Sequence, residues 1–142
     1  MDVASNVGTI LNCYATGTVK GSEAGGLVGT GFKKIINCYT VCNAESIDTD
    51  KGHASGIAAI PAGRIEIKNC VALGQKLTGG QLDQEGSPRT TRILYYTSDD
   101  ITDNNYAYAQ MKVNGSDIPT SKRHRTSGTL RTICSLRSKT RT

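Results

Sequence analysis

Asn12-Cys13-Tyr14-Ala15-Thr16-Gly17-Thr18-Val19, followed by Gly25-Gly26-Leu27-Val28-Gly29, is the stretch from which the fold can be read, because both halves recur. The first half returns as Ile35-Ile36-Asn37-Cys38-Tyr39-Thr40, as Ile67-Lys68-Asn69-Cys70-Val71-Ala72 and, degenerate, as Thr102-Asp103-Asn104-Asn105-Tyr106-Ala107. The second returns as Gly56-Ile57-Ala58-Ala59 and, more weakly, as Arg92-Ile93-Leu94-Tyr95. Asn12, Asn37, Asn69 and Asn104 are separated by 25, 32 and 35 residues. Two interleaved patterns at a loose common period predict a solenoid.

Each repeat holds runs of Ile, Val, Thr and Tyr broken by Gly, Asn and Ser, and no helical periodicity persists for three turns. The units are therefore read as strands. Along the first repeat Cys13, Ala15, Gly17 and Val19 are small or apolar, while Tyr14, Thr16 and Thr18 are larger or polar. The fourth alternates likewise, with Asn105, Ala107, Ala109 and Met111 set against Tyr106, Tyr108 and Gln110. Small residues on the inner face suit the narrow lumen of a β-helix, whose units stack at about 4.8 Å. The expected fold is all-β: a β-helix or solenoid of about three to four irregular coils. Ile10, Ile35 or Ile36, Leu27, Ile57, Ile67 and Ile93 are its expected core, loops are expected at Asp48 to Ser55 and Gly79 to Thr91, and glycine is expected at tight corners.

The pairing of Asn12 to Val19 with Gly25 to Gly29 resembles the GLUG repeat of large bacterial surface proteins. These include adhesin-like proteins of gut Bacteroidetes and regions flanking the protease domain of some IgA-cleaving metallopeptidases. The resemblance spans roughly residues 1–118 and is closest over the first repeat. Ala58 and Ala59 depart from the second half of the Gly-Leu-Val-Gly motif, and the likeness ends after Thr129. What the resemblance implies is an exported β-helical module with no catalytic residues of its own.

The 142 residues leave room for one domain. The net charge of +5 is unevenly spread. Lys122, Arg123, Arg125, Arg131, Arg137, Lys139 and Arg141 lie in the final stretch, which has no acidic residue. Residues 1–119 are read as the repeat module and 120–142 as a basic, disordered tail. The tail lacks interleaved aromatics, so a solvated segment is favoured over nucleic-acid or anionic-surface binding. No apolar run approaches the roughly 20 residues of a membrane span, so membrane insertion is not expected. The opening Met1-Asp2-Val3-Ala4-Ser5-Asn6 has no secretory signal pattern. It occupies the slot that Gly26 to Gly29 fill one repeat later, so the expectation is a fragment of a longer exported array, with an end-to-end homodimer as the alternative.

Cys13, Cys38 and Cys70 share one repeat position and are expected to form a buried stack of reduced thiols. Cys42 should face the same side as Cys38, and Cys134 lies in the tail. Metal binding lacks Cys-x-x-Cys pairs, and no cofactor motif occurs; Gly25 to Gly31 has no Lys-Ser/Thr pair for a phosphate loop. His53 and His124 are read as solvent-exposed histidines. Asp48 with Asp50, and Asp99 and Asp100 with Asp103, are the carboxylates from which a glycosidase or lyase would be built, but each set sits where loop charges are expected anyway. Asn114-Gly115 reads as a two-residue turn and, with Ser116, as a glycosylation sequon. No catalytic residue is assigned. Tyr14, Tyr39, Tyr106 and Tyr108 are expected to point outward and to be the contact residues for a host glycan or protein. The expected function is a non-enzymatic structural or adhesive module of a bacterial cell-surface protein. A carbohydrate-active β-helix and tail-driven binding to an anionic surface or nucleic acid are the alternatives.

Overall fold

The computed structural model describes residues 8–60, 64–81, 84, 89–94, 101–117 and 131–133, and every regular element among them is a β-strand. The elements fall into four units. The first holds β1 (Gly8–Leu11), β2 (Tyr14–Gly21), β3 (Glu23–Gly25) and β4 (Val28–Thr30). The second holds β5 (Phe32–Ile36), β6 (Tyr39–Ser46), β7 (His53–Ser55) and β8 (Ala58–Ile60). The third comprises β9 (Glu66–Lys68), β10 (Val71–Ala72), β11 (Lys76–Thr78) and β12 (Thr90–Thr91). The last comprises β13 (Ile101–Asp103), β14 (Tyr106–Tyr108), β15 (Lys112–Val113) and β16 (Ser116–Asp117), and a final strand, β17, spans Arg131–Ile133.

Corresponding strands of successive units pair side by side and parallel. One sheet has the order β1-β5-β9-β13, another contains β2, β6, β10 and β14 in succession, a third is β3-β7-β12, and β4 pairs β8. The register aligns Tyr14, Tyr39, Val71 and Tyr106 in one row and Ile10, Ile35 and Ile67 in another, the alignment seen in the sequence. The antiparallel pair is β15 with β16, joined through Asn114 and Gly115 at φ of 50° and 77°. This is the expected tight turn. Within the stretch read as the tail, Arg131–Ile133 pair as a parallel strand with β14, whose outer edge offers backbone groups that another extended segment can satisfy. The rest of 118–142, with His124 and Cys134, lies outside the described residues.

Inside, the alternation holds. Thr40, Ala72 and Ala107 form one fully buried row, and Ala44 and Leu77 sit in a second between half-buried Val19 and Val113. Ile35, Ile57, Ile67 and Ile93 are buried as expected, each contributing about 1.5–3 kcal/mol of apolar burial. Ile10 and Leu27 are only half-buried, because among the described residues the first unit has a neighbour on one side alone. Thr40, buried among apolar groups, donates its hydroxyl to the Gly56 carbonyl at 2.7 Å, which removes the cost of an unpaired oxygen. Gly26 and Gly56 stack where the backbone comes closest to its neighbours. A Cβ on Gly26 would collide with the Gly56 carbonyl, and one on Gly56 with the Arg92 carbonyl.

The corner between the first two strands of each unit is built the same way four times. Asn12, Asn37, Asn69 and Asn104 have φ of 52°, 56°, 55° and 51°, the left-handed region that asparagine tolerates better than other residues with a side chain. Each side chain then reaches its neighbour. Asn37 donates to Asn12 at 3.2 Å, Asn69 to Asn37 at 3.0 Å and Asn104 to Asn69 at 2.7 Å. Backbone bonds run beside this ladder: Asn12, Asn37 and Asn69 donate to the carbonyls of Ile36, Lys68 and Asp103, and Tyr39, Val71 and Tyr106 donate back to Cys13, Cys38 and Cys70.

Asn37→Ala, which forces an ordinary side chain into the left-handed region and removes two ladder bonds, should lower stability by about 2–3 kcal/mol in urea unfolding. Asn37→Gly keeps the backbone relaxed and should cost about 1 kcal/mol less; equal losses would show that strain at the corner is not the constraint. Gly56→Ala should destabilise by about 2 kcal/mol or more, whereas Gly8→Ala, where the added methyl meets nothing within 4 Å, should leave the thermal midpoint nearly unchanged.

Candidate functional site

The outward positions of β2, β6, β10 and β14 form a face whose composition departs from an ordinary polar exterior. Tyr14 and Tyr39 are 67% and 44% exposed, and their rings stack with centroids 5.3 Å apart and planes 9° from parallel. Two parallel strands in register place equivalent side chains at the interstrand spacing, which is why two tyrosines at one repeat position stack. The row then changes character. Val71 occupies the third position and Tyr106 the fourth, so the four tyrosines expected on one face do not make a continuous row. Tyr108 lies two residues further along β14, outside that row. Tyr106 and Tyr108 are half-buried, and their hydroxyls donate to Asn104 at 2.8 Å and Gln110 at 2.7 Å. Val41 and Leu11 add exposed apolar surface near the Tyr14–Tyr39 stack.

Lys20 bridges its register partner Glu45 at 3.0 Å, and Glu66 lies between Lys34 at 3.0 Å and Lys68 at 2.9 Å on the neighbouring sheet. Hydrogen bonds from the two ammonium groups, Lys68 first, hold the Glu66 carboxyl below its usual range, and the Lys68 ammonium is correspondingly raised. These exposed ladders fix strand partners more than they add stability.

The candidates for chemistry are placed elsewhere and bound into the framework. His53, expected in an exposed loop, lies in β7 and is only 7% exposed. Its Nδ1 is 2.9 Å from the Glu23 carboxylate, which also accepts the His53 backbone N–H at 3.2 Å. The parallel pairing of β3 with β7 sets Glu23 opposite His53, so the imidazole finds its partner by register. A lone histidine between Gly52 and Ala54 carries no local sign of this. Asp48 accepts the backbone N–H groups of Asp50 and Lys51 at 3.0 and 2.9 Å, and those bonds lower its carboxyl below the ordinary range. It closes a turn. Asp103 is exposed on β13, while Asp99 and Asp100 lie outside the described residues. Among the described residues no group of three or more His, Cys, Asp or Glu side chains is arranged to hold a metal ion.

The cysteines stack as the repeat implies, with one correction. Cys38 and Cys70 are buried, but Cys13 is exposed, since the first unit has no described neighbour above it. The thiols of Cys13, Cys38 and Cys70 each donate to the carbonyl two residues earlier, at 3.1, 3.2 and 3.2 Å. In the fourth unit Asn105 takes the cysteine position, accepting from the Cys70 backbone N–H at 3.0 Å and donating to Ile67 at 2.9 Å. Burial, with Cys38 alongside, pushes the Cys70 thiol up to about 11, and burial also raises Cys42.

A maleimide reagent should label Cys13 in the native chain, while Cys38, Cys42 and Cys70 should react only on unfolding. The folded state keeps the Cys70 proton to a higher pH than the unfolded chain does, so its share of stability is complete below about pH 9 and lost as pH rises toward about 11. Relative to a Cys70→Ala variant, the native chain should therefore lose up to about 2 kcal/mol more stability across that interval. Parallel alkaline slopes in the two proteins would contradict the burial argument.

Compared with protein-family models, curated proteins and solved structures, the chain matches none of them.

Proposed function

We propose that this chain is a non-enzymatic β-helical module of a bacterial cell-surface protein, and that its outward tyrosine face binds a glycan or protein partner. The β-helical reading is supported by the parallel, in-register pairing of four sequence repeats and by an inner face of alanine, cysteine and branched aliphatic side chains. The resemblance of the first repeat to the GLUG pattern supports the surface location. The observation that carries the binding reading is the exposed Tyr14–Tyr39 stack. Repeated strands hold these rings at a fixed spacing, so a ligand laid across them meets aromatic surface that loses little freedom on binding. The recurring Asn, Cys and Gly residues are accounted for by corners, core and close backbone approach. The tyrosines of the first two units are large apolar groups left outside.

The test is a glycan array with immobilised mucin as the protein-bearing surface, probed with the native chain and with Tyr14→Ser/Tyr39→Ser. The native chain should be retained on one class of ligand and the double variant should bind it about tenfold or more weakly, consistent with about 1 kcal/mol per ring, with an unchanged β-sheet circular dichroism spectrum. Equal binding by both proteins would overturn the assignment of the face. Turnover of an array glycan that is lost on changing Asp99 or Asp100 would overturn the non-enzymatic reading.

A further inference from the structure

Three thiols repeat at one corner of the fold, and their spacing is set by the backbone. Cys13, Cys38 and Cys70 directly precede Tyr14, Tyr39 and Val71, which are register partners on successive parallel strands. The three thiols share one orientation, each bonded to the carbonyl two residues back at 3.1, 3.2 and 3.2 Å. Equivalent atoms on adjacent strands in register stand about 4.8 Å apart, so successive sulfur atoms follow that spacing. The Cys38 sulfur reaches into the corner of the first unit, 3.4 Å from the Cys13 backbone nitrogen and 3.8 Å from the Ile10 carbonyl oxygen.

That spacing discriminates among the uses to which neighbouring thiols can be put. A disulfide needs Cβ atoms about 3.5–4.5 Å apart, so residues held at the strand spacing are too far apart unless a strand moves. Tetrahedral zinc needs four ligands. Among the described residues no group of three or more His, Cys, Asp or Glu side chains is arranged to supply them. A linear sulfur–metal–sulfur unit has different demands. Two metal–sulfur bonds of about 2.3 Å span about 4.6 Å, close to the strand spacing, and two ligands complete the shell. Ions that accept such a shell are soft and have a filled d level; thiolates select Cu(I) among them.

Exposure decides which pair is used. Cys13 is exposed and Cys38, 2% exposed, lies next in the column, whereas Cys70 is fully buried and its thiol is pushed up to about 11 by that burial. Cys42 is buried as well, and its register partner on β2 is Gly17, which offers no ligand. The Cys13 backbone N–H already donates to the Cys38 sulfur, a bond that strengthens when the sulfur becomes a thiolate. We propose that Cys13 and Cys38 bind one Cu(I) ion in linear coordination at the exposed end of the sulfur column. Both S–H bonds break, two S–Cu bonds form, two protons pass to solvent and the copper stays Cu(I). The site does not depend on the outward tyrosine face, so either assignment can fail while the other stands.

Anaerobic titration of the full chain with Cu(I), in competition with the chelator bathocuproine disulfonate, reads the affinity. The native chain should withdraw one ion per chain and remain monomeric in sedimentation. Loading should protect Cys13 from maleimide, and copper X-ray absorption should show two sulfur neighbours. Cys13→Ser, a change at an exposed position, should weaken binding about a hundredfold or more with an unchanged circular dichroism spectrum, and Cys38→Ala should do the same. Cys42→Ser, Cys70→Ala and Cys134→Ser should each change the affinity less than about threefold. If Cys38→Ala does not fold, two sulfur neighbours together with the dispensability of the other three thiols still assign Cys38. No withdrawal of copper from the chelator, full affinity in Cys13→Ser, or a third sulfur neighbour would overturn the proposal. So would half an ion per chain in a dimer, which would place the metal between two copies of Cys13. Protection of Cys13 by equimolar Zn(II) as complete as that by Cu(I) would also overturn it, because the site would then not be selective for a two-coordinate ion.

Discussion

A chain of side-chain amides running through Asn12, Asn37, Asn69 and Asn104 is the interaction on which the remaining structure depends. Asparagine does two things at this corner that other residues do not combine. It accepts a positive φ at small cost, and its amide both donates and accepts, so one residue type repeated four times yields a continuous ladder. Because the turn falls at the same place in each unit, the residue after it always points inward and the next one outward. A slip of one residue would carry Cys38 to the exterior and Tyr39 into the core. The ladder, the buried sulfur row and the exposed tyrosine stack are thus consequences of a single register.

Close packing of the buried side chains imposes the second constraint. Ala72 and Ala107 fill one buried row, glycine stands where backbones nearly touch, and Ile35, Ile57 and Ile67 join the same buried cluster. Cysteine fits beside the corner because its thiol is small and can bond the carbonyl two residues back. Where the fourth unit replaces it with Asn105, the larger polar group is accommodated because both halves of its amide are bonded within the core. Differences in unit length are absorbed outside this frame, at the turn after Ser46, in the segment between β11 and β12, and between β10 and β11 and β14 and β15, where the third and fourth units carry one and two residues more than the second.

The polar residues divide by what the framework demands of them. Glu23 and His53 satisfy each other and the backbone across two paired strands, and Asp48 closes a turn, so groups that could carry chemistry are engaged in holding strands in register. Tyr14 and Tyr39 are held in fixed positions by their paired strands while their rings face solvent.

The all-β character, the alignment of four units, the inward placement of small residues and the outward placement of Tyr14 and Tyr39 were legible in the sequence. Each follows from a short-range rule, strand alternation or a residue type that recurs at one position, and local rules need no knowledge of partners. The tertiary structure decided what depends on residues distant in the chain. It put His53 against Glu23, left Cys13 exposed while burying Cys38 and Cys70, and broke the tyrosine row at Val71. It also aligned Leu77 with Ala44 and Val113 with Leu77, a register that an alignment anchored on asparagine does not reveal, since the residues added after β10 and β14 become visible only when backbone pairing defines which residues are neighbours. The corners were determined locally by asparagine's tolerance of positive φ, and the sites between units were determined by register, a property of pairs of strands that neither strand possesses alone.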